Sequence, residues 1–143
     1  MRYVLDTCVF NWLLSERIEL SHLPSDGEFV ATHVQRDELD RTPCETRRAS
    51  LLGCFTEVVE EHVFTESAVV GVSKVGLCKL SDGQLYSSIR HALDSLNKSK
   101  SNNANDALIA EVAIVNGWTL ITADRDLAQI AVEHEALVHL LRA

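Results

Sequence analysis

Four acidic residues, Asp6, Glu38, Asp106 and Asp124, lie far apart in this chain, yet each stands where a strand ends or a helix begins. Gathered by a fold, they would form a pocket whose carboxylates repel one another until a divalent cation enters. Buried carboxylates are costly unless paired or coordinated. Three or four oxygen ligands of this kind suit hard cations, Mg²⁺ or Mn²⁺, which leave coordination positions for water and a substrate phosphate. Such a cation orients and activates water and stabilises charge as a phosphodiester is displaced, so the expected reaction is hydrolysis. Zinc chemistry has no motif here: His22, His33, His62, His91, His134 and His139 include no HExxH, and each is expected to face solvent or play a structural role.

The elements that must position these acids follow from local patterns. Around Asp6 the chain reads RYVLDTCVFNWLL, an apolar strand over Tyr3, Val4 and Leu5 followed by Val9, Phe10, Leu13 and Leu14 at helical spacing. Glu28 to Thr32 (EFVAT) has strand character, and HVQRDEL opens a helix that carries Glu38. Pro43 suits a helix start, and CETRRASLLGCF continues as a helix with Arg47 and Arg48 on its polar side. VVEEHVFT and SAVVGVSKVGL are rich in β-branched residues, but a helix from Ser67 to Leu77 fits the same run, since short apolar stretches do not separate the two.

From Asp82 to Leu96 the pattern is helical, and NKSKSNNAN reads as a polar loop of the kind that carries function on a rigid scaffold. Leu108, Ile109, Val112 and Ala113 then form an apolar helical face that stops at Asn116-Gly117. Asp106 falls in the first turn of that helix, where the helix dipole favours the ionised carboxylate that a metal needs. Trp118 to Thr122 is the next strand, Asp124 lies just beyond it, Leu127, Ile130, Ala131 and His134 continue helically, and Ala136 to Leu140 is a final strand.

Alternating strands and helices predict a mostly parallel sheet covered on both faces, with ligands outside the carboxyl ends of its strands. Asp6 and Asp124 both follow a strand, so one edge of the sheet would present them. A length of 143 residues fits a single domain spanning residues 1–143, and 46% hydrophobic residues can build its core. The first apolar run is too short for a signal peptide and no stretch spans a bilayer, so the chain reads as cytoplasmic and free of membrane. Cys8, Cys44, Cys54 and Cys78 form no CxxC pair and are expected to be reduced, buried thiols.

A net charge of −8 excludes the charge-driven nucleic-acid binding of basic proteins but leaves a nuclease open. A bound metal would offset part of that charge, and Arg36, Arg41, Arg47, Arg48, Lys98, Lys100 and Arg125 are candidates to meet phosphate. Each acid also has an ordinary alternative: Asp6, Asp106 and Asp126 as helix caps, Asp124 as a turn residue, Glu38 as a solvated helix residue. The joint pattern of the three aspartates, not any one of them, carries the metal reading. Trp12 and Trp118 read as core or partner-facing aromatics rather than base-stacking platforms. No GxxxxGK[ST] or GxGxxG occurs. A haloacid-dehalogenase-like phosphatase would need a second Asp at position 8, where Cys8 stands, and a receiver domain would need a late lysine that LITADRD lacks.

The segments VLDTCVFNWLL, DEL with Glu38, NDALIA with Asp106 and LITADRDL with Asp124 resemble, in order, the four acidic landmarks of PIN-domain nucleases. The resemblance implies a three-layer α/β/α sandwich around a parallel sheet and metal-dependent cleavage of RNA. It would make Asp6, Asp106 and Asp124 the metal-site acids, with Glu38 completing the set and Asp126 assisting. Thr7 and Thr122 would position carboxylates or water. A small chain of this type is similar to the VapC-type toxins of type II toxin–antitoxin pairs, which implies an antitoxin partner and a homodimer. Asp37 and Asp40 compete with Glu38 for its role. Many relatives have Asn where this chain has Cys8, with Asn11 a turn further on as a possible substitute. The stretch from Val58 to Leu80 carries no part of the resemblance. The alternative is a non-catalytic module of the same fold that binds RNA or a protein.

Overall fold

The computed structural model describes residues 1–69 and 83–142. Strand β1 (Arg2–Leu5) leads into helix α1 (Thr7–Leu14), and a 3-10 turn at Leu20–His22 precedes β2 (Glu28–Ala31), α2 (His33–Asp40) and α3 (Glu45–Val58). The short β3 (Glu61–His62) is followed, beyond the undescribed residues, by α4 (Gln84–Asn97), α5 (Asn103–Asn116), β4 (Thr119–Thr122), α6 (Arg125–Glu133) and β5 (Leu137–Leu140). Most expected elements are present with ends shifted by one or two residues. Thr32, expected to end a strand, instead caps α2 by accepting from Val34 N–H at 3.1 Å. VVEEHVFT yields only the two-residue β3, and most of SAVVGVSKVGL lies outside the described residues.

All five strands run parallel in the order β3-β2-β1-β4-β5. Strand alternation sends successive residues to opposite faces. Val4, Val30 and Leu120 join a core built with α4, α5 and α6, whereas Leu5, Ala31 and Ile121 join one built with α1 and α3. Helix α2 sends Val34 to the first core and Leu39 to the second. The molecule is therefore the expected three-layer α/β/α sandwich.

The order has a functional consequence. The chain moves outward from β1 through β2 to β3, then returns so that β4 lies on the other side of β1, with Leu5 opposite Ile121. Crevices open outside the carboxyl ends of strands where winding reverses in this way. Asp6 and Asp124 follow the two strands that flank this reversal.

Helix α5 departs from the expected one-sided apolar face. Residues 106 to 113 are all buried, including Asp106 and Glu111, as is Asn103 at the helix start. The helix packs against α2, α4, α6, β1 and β4, so it has no solvent face over those turns. It stops at Gly117, whose φ of 68° is the left-handed conformation that only glycine adopts without penalty. Asn103, Ala104 and Asn105, expected in a polar loop, form its first turn. The Asn103 amide explains this, because it donates to Asp94 Oδ1 and Asn97 Oδ1 at 2.8 Å each and accepts from Asn97 Nδ2 at 2.9 Å.

Candidate metal centre

Asp6 is the N-cap of α1 and is only 4% exposed. Its Oδ1 accepts from Thr7 N–H at 2.8 Å, and its Oδ2 accepts from the Thr122 hydroxyl at 2.7 Å and the Cys8 thiol at 3.3 Å. Burial raises its carboxyl above the ordinary range and the charge of Asp124 adds to that, while the hydrogen bonds from Thr122, Cys8 and Thr7 act in the opposite sense.

Glu38 reaches the same place from α2. Its Oε1 accepts from the Thr7 hydroxyl at 2.8 Å, and Asn105 also hydrogen-bonds its side chain. The buried amide of Gln35 orients this helix by donating to Leu5 O at 2.9 Å, immediately before Asp6. Burial, with the charge of Asp6 adding to it, lifts the Glu38 carboxyl to about 7 against the opposing effects of Thr7, Asn105 and Arg41. Asp37 points elsewhere, toward His33 Nδ1 at 3.1 Å, and Asp40 is exposed. Of the three acids on this helix, Glu38 is the one turned into the pocket.

Asp106, in the first turn of α5, is 4% exposed and is held at about 9 by burial and by the charges of Asp6, Glu38 and Asp124, with Lys100 acting against them. Asp124 caps α6: its Oδ1 accepts from Asp126 N–H at 2.9 Å and Leu127 N–H at 3.3 Å. Its own N–H donates to the Thr122 hydroxyl at 3.0 Å. Thr122 thus links Asp6 and Asp124 directly. Capping and clustering turn out to be compatible, because each cap contact uses a lone pair and leaves others for a further ligand.

The four acids are therefore electrostatically coupled at one end of the sheet, beside the N-termini of three helices whose dipoles favour negative charge. As the side chains stand, no group of three or more His, Cys, Asp or Glu among the described residues is arranged to hold a metal ion. Instead the pocket retains protons near neutrality. Its donors are carboxylate and hydroxyl oxygens, the set that hard divalent cations take with one or two carboxylates and several waters. Asp6, Glu38, Asp106 and Asp124 are the acids that would have to draw together to hold such an ion.

Other expected participants are placed less centrally. Asp126 supplies a backbone N–H to Asp124. Asn11 Oδ1 accepts from Arg47 at 3.1 Å, and Arg47 also reaches the Ser15 hydroxyl, so this pair straps α1 to α3. Arg48 donates to Thr42 O at 3.0 Å. Among the basic candidates, Lys100 and Arg41 are the ones whose charges act on the pocket acids. Trp12 and Trp118 are each covered by an arginine, Arg17 and Arg2.

Cysteine use also differs from expectation. Cys8, Cys44 and Cys54 are free, but Cys44 is exposed at the N-cap of α3 and Cys54 is half-buried. Cys78 lies outside the described residues. Cys8 lies inside the acid pocket, and burial beside Asp6 keeps its thiol protonated well above the usual range. Composition offered no signal for that role. Glu111 was likewise missed: its Oε2 accepts from the Ser67 hydroxyl at 2.9 Å and Tyr86 N–H at 3.2 Å, holding the segment at Ser67 and the first turn of α4 on α5.

With this geometry in hand, comparison with known proteins is informative. No curated protein matches the chain at a significant level. Among solved structures, VapBC2 from Rickettsia felis, determined with a DNA fragment from its promoter, shares the fold with a TM-score of 0.62 and 17% identity over 99% of this chain and 100% of that one. A domain of a functionally unknown protein from Methanocaldococcus jannaschii gives 0.56 and 18% over 99% and 91%. VapBC-5 of the VapBC toxin–antitoxin family from Mycobacterium tuberculosis gives 0.52 and 23% over 99% and 98%. In sequence, residues 80–133 match the PIN domain model, a stretch that contains Asp106 and Asp124. Residues 80–133 are thus similar in sequence to the PIN domain, and the fold along nearly the full chain is that of the VapBC2 structure.

Proposed function

We propose that this chain is a metal-dependent endoribonuclease that hydrolyses RNA phosphodiester bonds with Mg²⁺ or Mn²⁺, and that it is the toxin of a type II toxin–antitoxin pair. The observation that carries the reading is the gathering of Asp6, Glu38, Asp106 and Asp124, in which burial and neighbouring carboxylates raise Asp6, Glu38 and Asp106 so that they hold protons a divalent cation would displace. When bound, the cation activates water and offsets charge on the phosphodiester. Thr122 and Thr7 hold the Asp6 and Glu38 carboxylates in place for it. Lys100 and Arg41 flank the pocket and can take phosphate oxygens, the local attraction that a chain of net charge −8 needs. An antitoxin partner and a homodimer are proposed on likeness to the VapBC structures. A cytoplasmic location fits this role, and no described helix is long and apolar enough to cross a membrane.

The test is cleavage of an RNA panel in Mn²⁺ by the wild type and by Asp6→Asn. Cleavage should require the ion and fall by more than the roughly 10–100-fold that loss of an outer metal partner costs. Activity that survives EDTA, or the substitution, would refute the reading. One observation favours the non-catalytic alternative, namely that the described acids stand apart from a three-ligand arrangement. RNA binding without Mn²⁺ binding in a calorimetric titration would establish that alternative.

A further inference from the structure

The acids sit on two strand ends that are separated by more than a hundred residues of sequence, and their relative placement must be held by something other than their own repulsion. The Asp6 N–H donates to Ile121 O at 2.9 Å, and Thr122 supplies a side-chain link. A further side-chain link is a sulfur atom. Cys8, in the first turn of α1, directs its Sγ between the two ends: it donates to Asp6 Oδ2 at 3.3 Å and accepts the backbone N–H of Ala123 at 3.3 Å. Ala123 is the residue between the end of β4 and Asp124. The Thr122 hydroxyl lies 3.8 Å from the same sulfur. A thiol is a weak donor and a weak acceptor, and here it acts as both at once.

We propose that Cys8 is a positioning residue, tying the chain end that carries Asp6 to the one that carries Asp124 and setting the orientation of the Asp6 carboxylate. Its consequence for metal affinity rests on the proposed function, whereas the tie itself does not. The sulfur's role is to hold Oδ2 in one direction and to stop the Ala123-Asp124 turn from relaxing away under carboxylate repulsion.

Three variants separate hydrogen bonding from simple space filling. Cys8→Ser keeps a donor and an acceptor in a smaller group; Cys8→Val fills the volume without either; Cys8→Ala removes both. In the metal-free full chain, the Ala123 amide proton and the Asp6 carboxyl carbon should keep near wild-type chemical shifts in Cys8→Ser. Both should move in Cys8→Val and Cys8→Ala, with loss of amide-exchange protection at Ala123. Mn²⁺ affinity by calorimetry should fall about 10–100-fold in the latter two and stay within about threefold in Cys8→Ser. Unmoved Ala123 and Asp6 signals in Cys8→Ala overturn the proposal, and so does the reverse ranking, with Cys8→Val like wild type and Cys8→Ser displaced. If the wild type binds no Mn²⁺, the nuclease reading fails, but the metal-free spectra still decide the tie. Should Cys8→Val fail to fold by circular dichroism, Cys8→Ala against Cys8→Ser decides the same question.

Discussion

The two ends of the parallel sheet handle charge in opposite ways. At the amino ends of the strands, Arg2 bridges Glu61 at 2.8 Å and Glu28 at 3.7 Å and covers the Trp118 ring at 5.2 Å. These groups are substantially exposed, and each charge has a partner. At the carboxyl ends, four acids gather in a largely buried pocket where the nearby cations, Lys100 and Arg41, oppose the shifts only in part. Water and pairing make the first end electrostatically quiet. The second end holds acids raised by burial and by one another's charge, a cost that the proposed cation would relieve. A count of charges would rank these regions alike, whereas burial and pairing separate them.

The largest effect expected from this contrast is on metal binding. Replacing Asp106 with Asn should abolish calorimetric Mn²⁺ binding, a loss beyond the roughly 100-fold of an outer-partner change. Binding that persists would place the cation elsewhere and remove the distinction between the two ends.

The next effect is on stability in the absence of metal, and its sign is the opposite. Asp106 and Glu38 titrate at about 9 and about 7 in the fold against 3.8 and 4.5 for the free side chains, so the folded state binds the extra protons. Their contribution is therefore fully favourable below about pH 4 and is lost as pH rises toward 9. Metal-free protein should show a Tm that falls between pH 5 and 9, a range set by those values. Asp106→Asn should flatten that slope and gain about 1–3 kcal/mol at pH 8. Mn²⁺ at about 100 times its Kd should restore roughly 2.7 kcal/mol to the wild type, and more of this gain should appear at higher pH because protons must leave. A wild-type Tm that rises across this range without metal would show that the pocket is not strained.

Thr7→Val should act more weakly. It removes the hydroxyl that holds Glu38 at 2.8 Å, so the Glu38 carboxyl should move further up and Mn²⁺ affinity should drop about tenfold, read by calorimetry at pH 7. An unchanged affinity would leave Glu38 outside the ligand set. The smallest effect belongs to the other end: Arg2→Ala should leave Mn²⁺ binding unchanged and alter unfolding free energy by no more than about 1 kcal/mol, since exposed ion pairs contribute little. A larger loss in chemical denaturation would mean that the paired end is not quiet.

Much of the fold was readable in the chain because its signals are local. Fully buried parallel strands appear as apolar runs such as Tyr3-Val4-Leu5, and an Asn116-Gly117 pair stops a helix wherever it lies. Asp6, Asp106 and Asp124 were legible for the same reason, since each occupies a helix start with a characteristic neighbourhood. Glu38 was not separable from Asp37 and Asp40. Neighbouring helical residues point about 100° apart, so the choice depends on how α2 is rotated, which Gln35 settles by binding Leu5 O across the sheet edge. Asn11 was read as a possible substitute for the Asn that relatives carry where this chain has Cys8, but α3 brings Arg47 against it. Cys8 was read only as a buried thiol and a departure from the family pattern, and Glu111 escaped notice, because a thiol or an acid within an apolar run carries no periodic signal of its partners.

The sequence alone therefore determined the class of fold and singled out the candidate aspartates on which the proposed chemistry rests, because both depend on residue type and on contacts within a few positions. Tertiary structure decided which acids meet. Strand β4 lies beside β1 rather than following β3, and that placement joins Asp6 to Thr122 and Cys8 to Ala123 across more than a hundred residues. It also buries the acids together, and repulsion among buried charges depends on separation and solvent exclusion, quantities that exist only once the chain has folded.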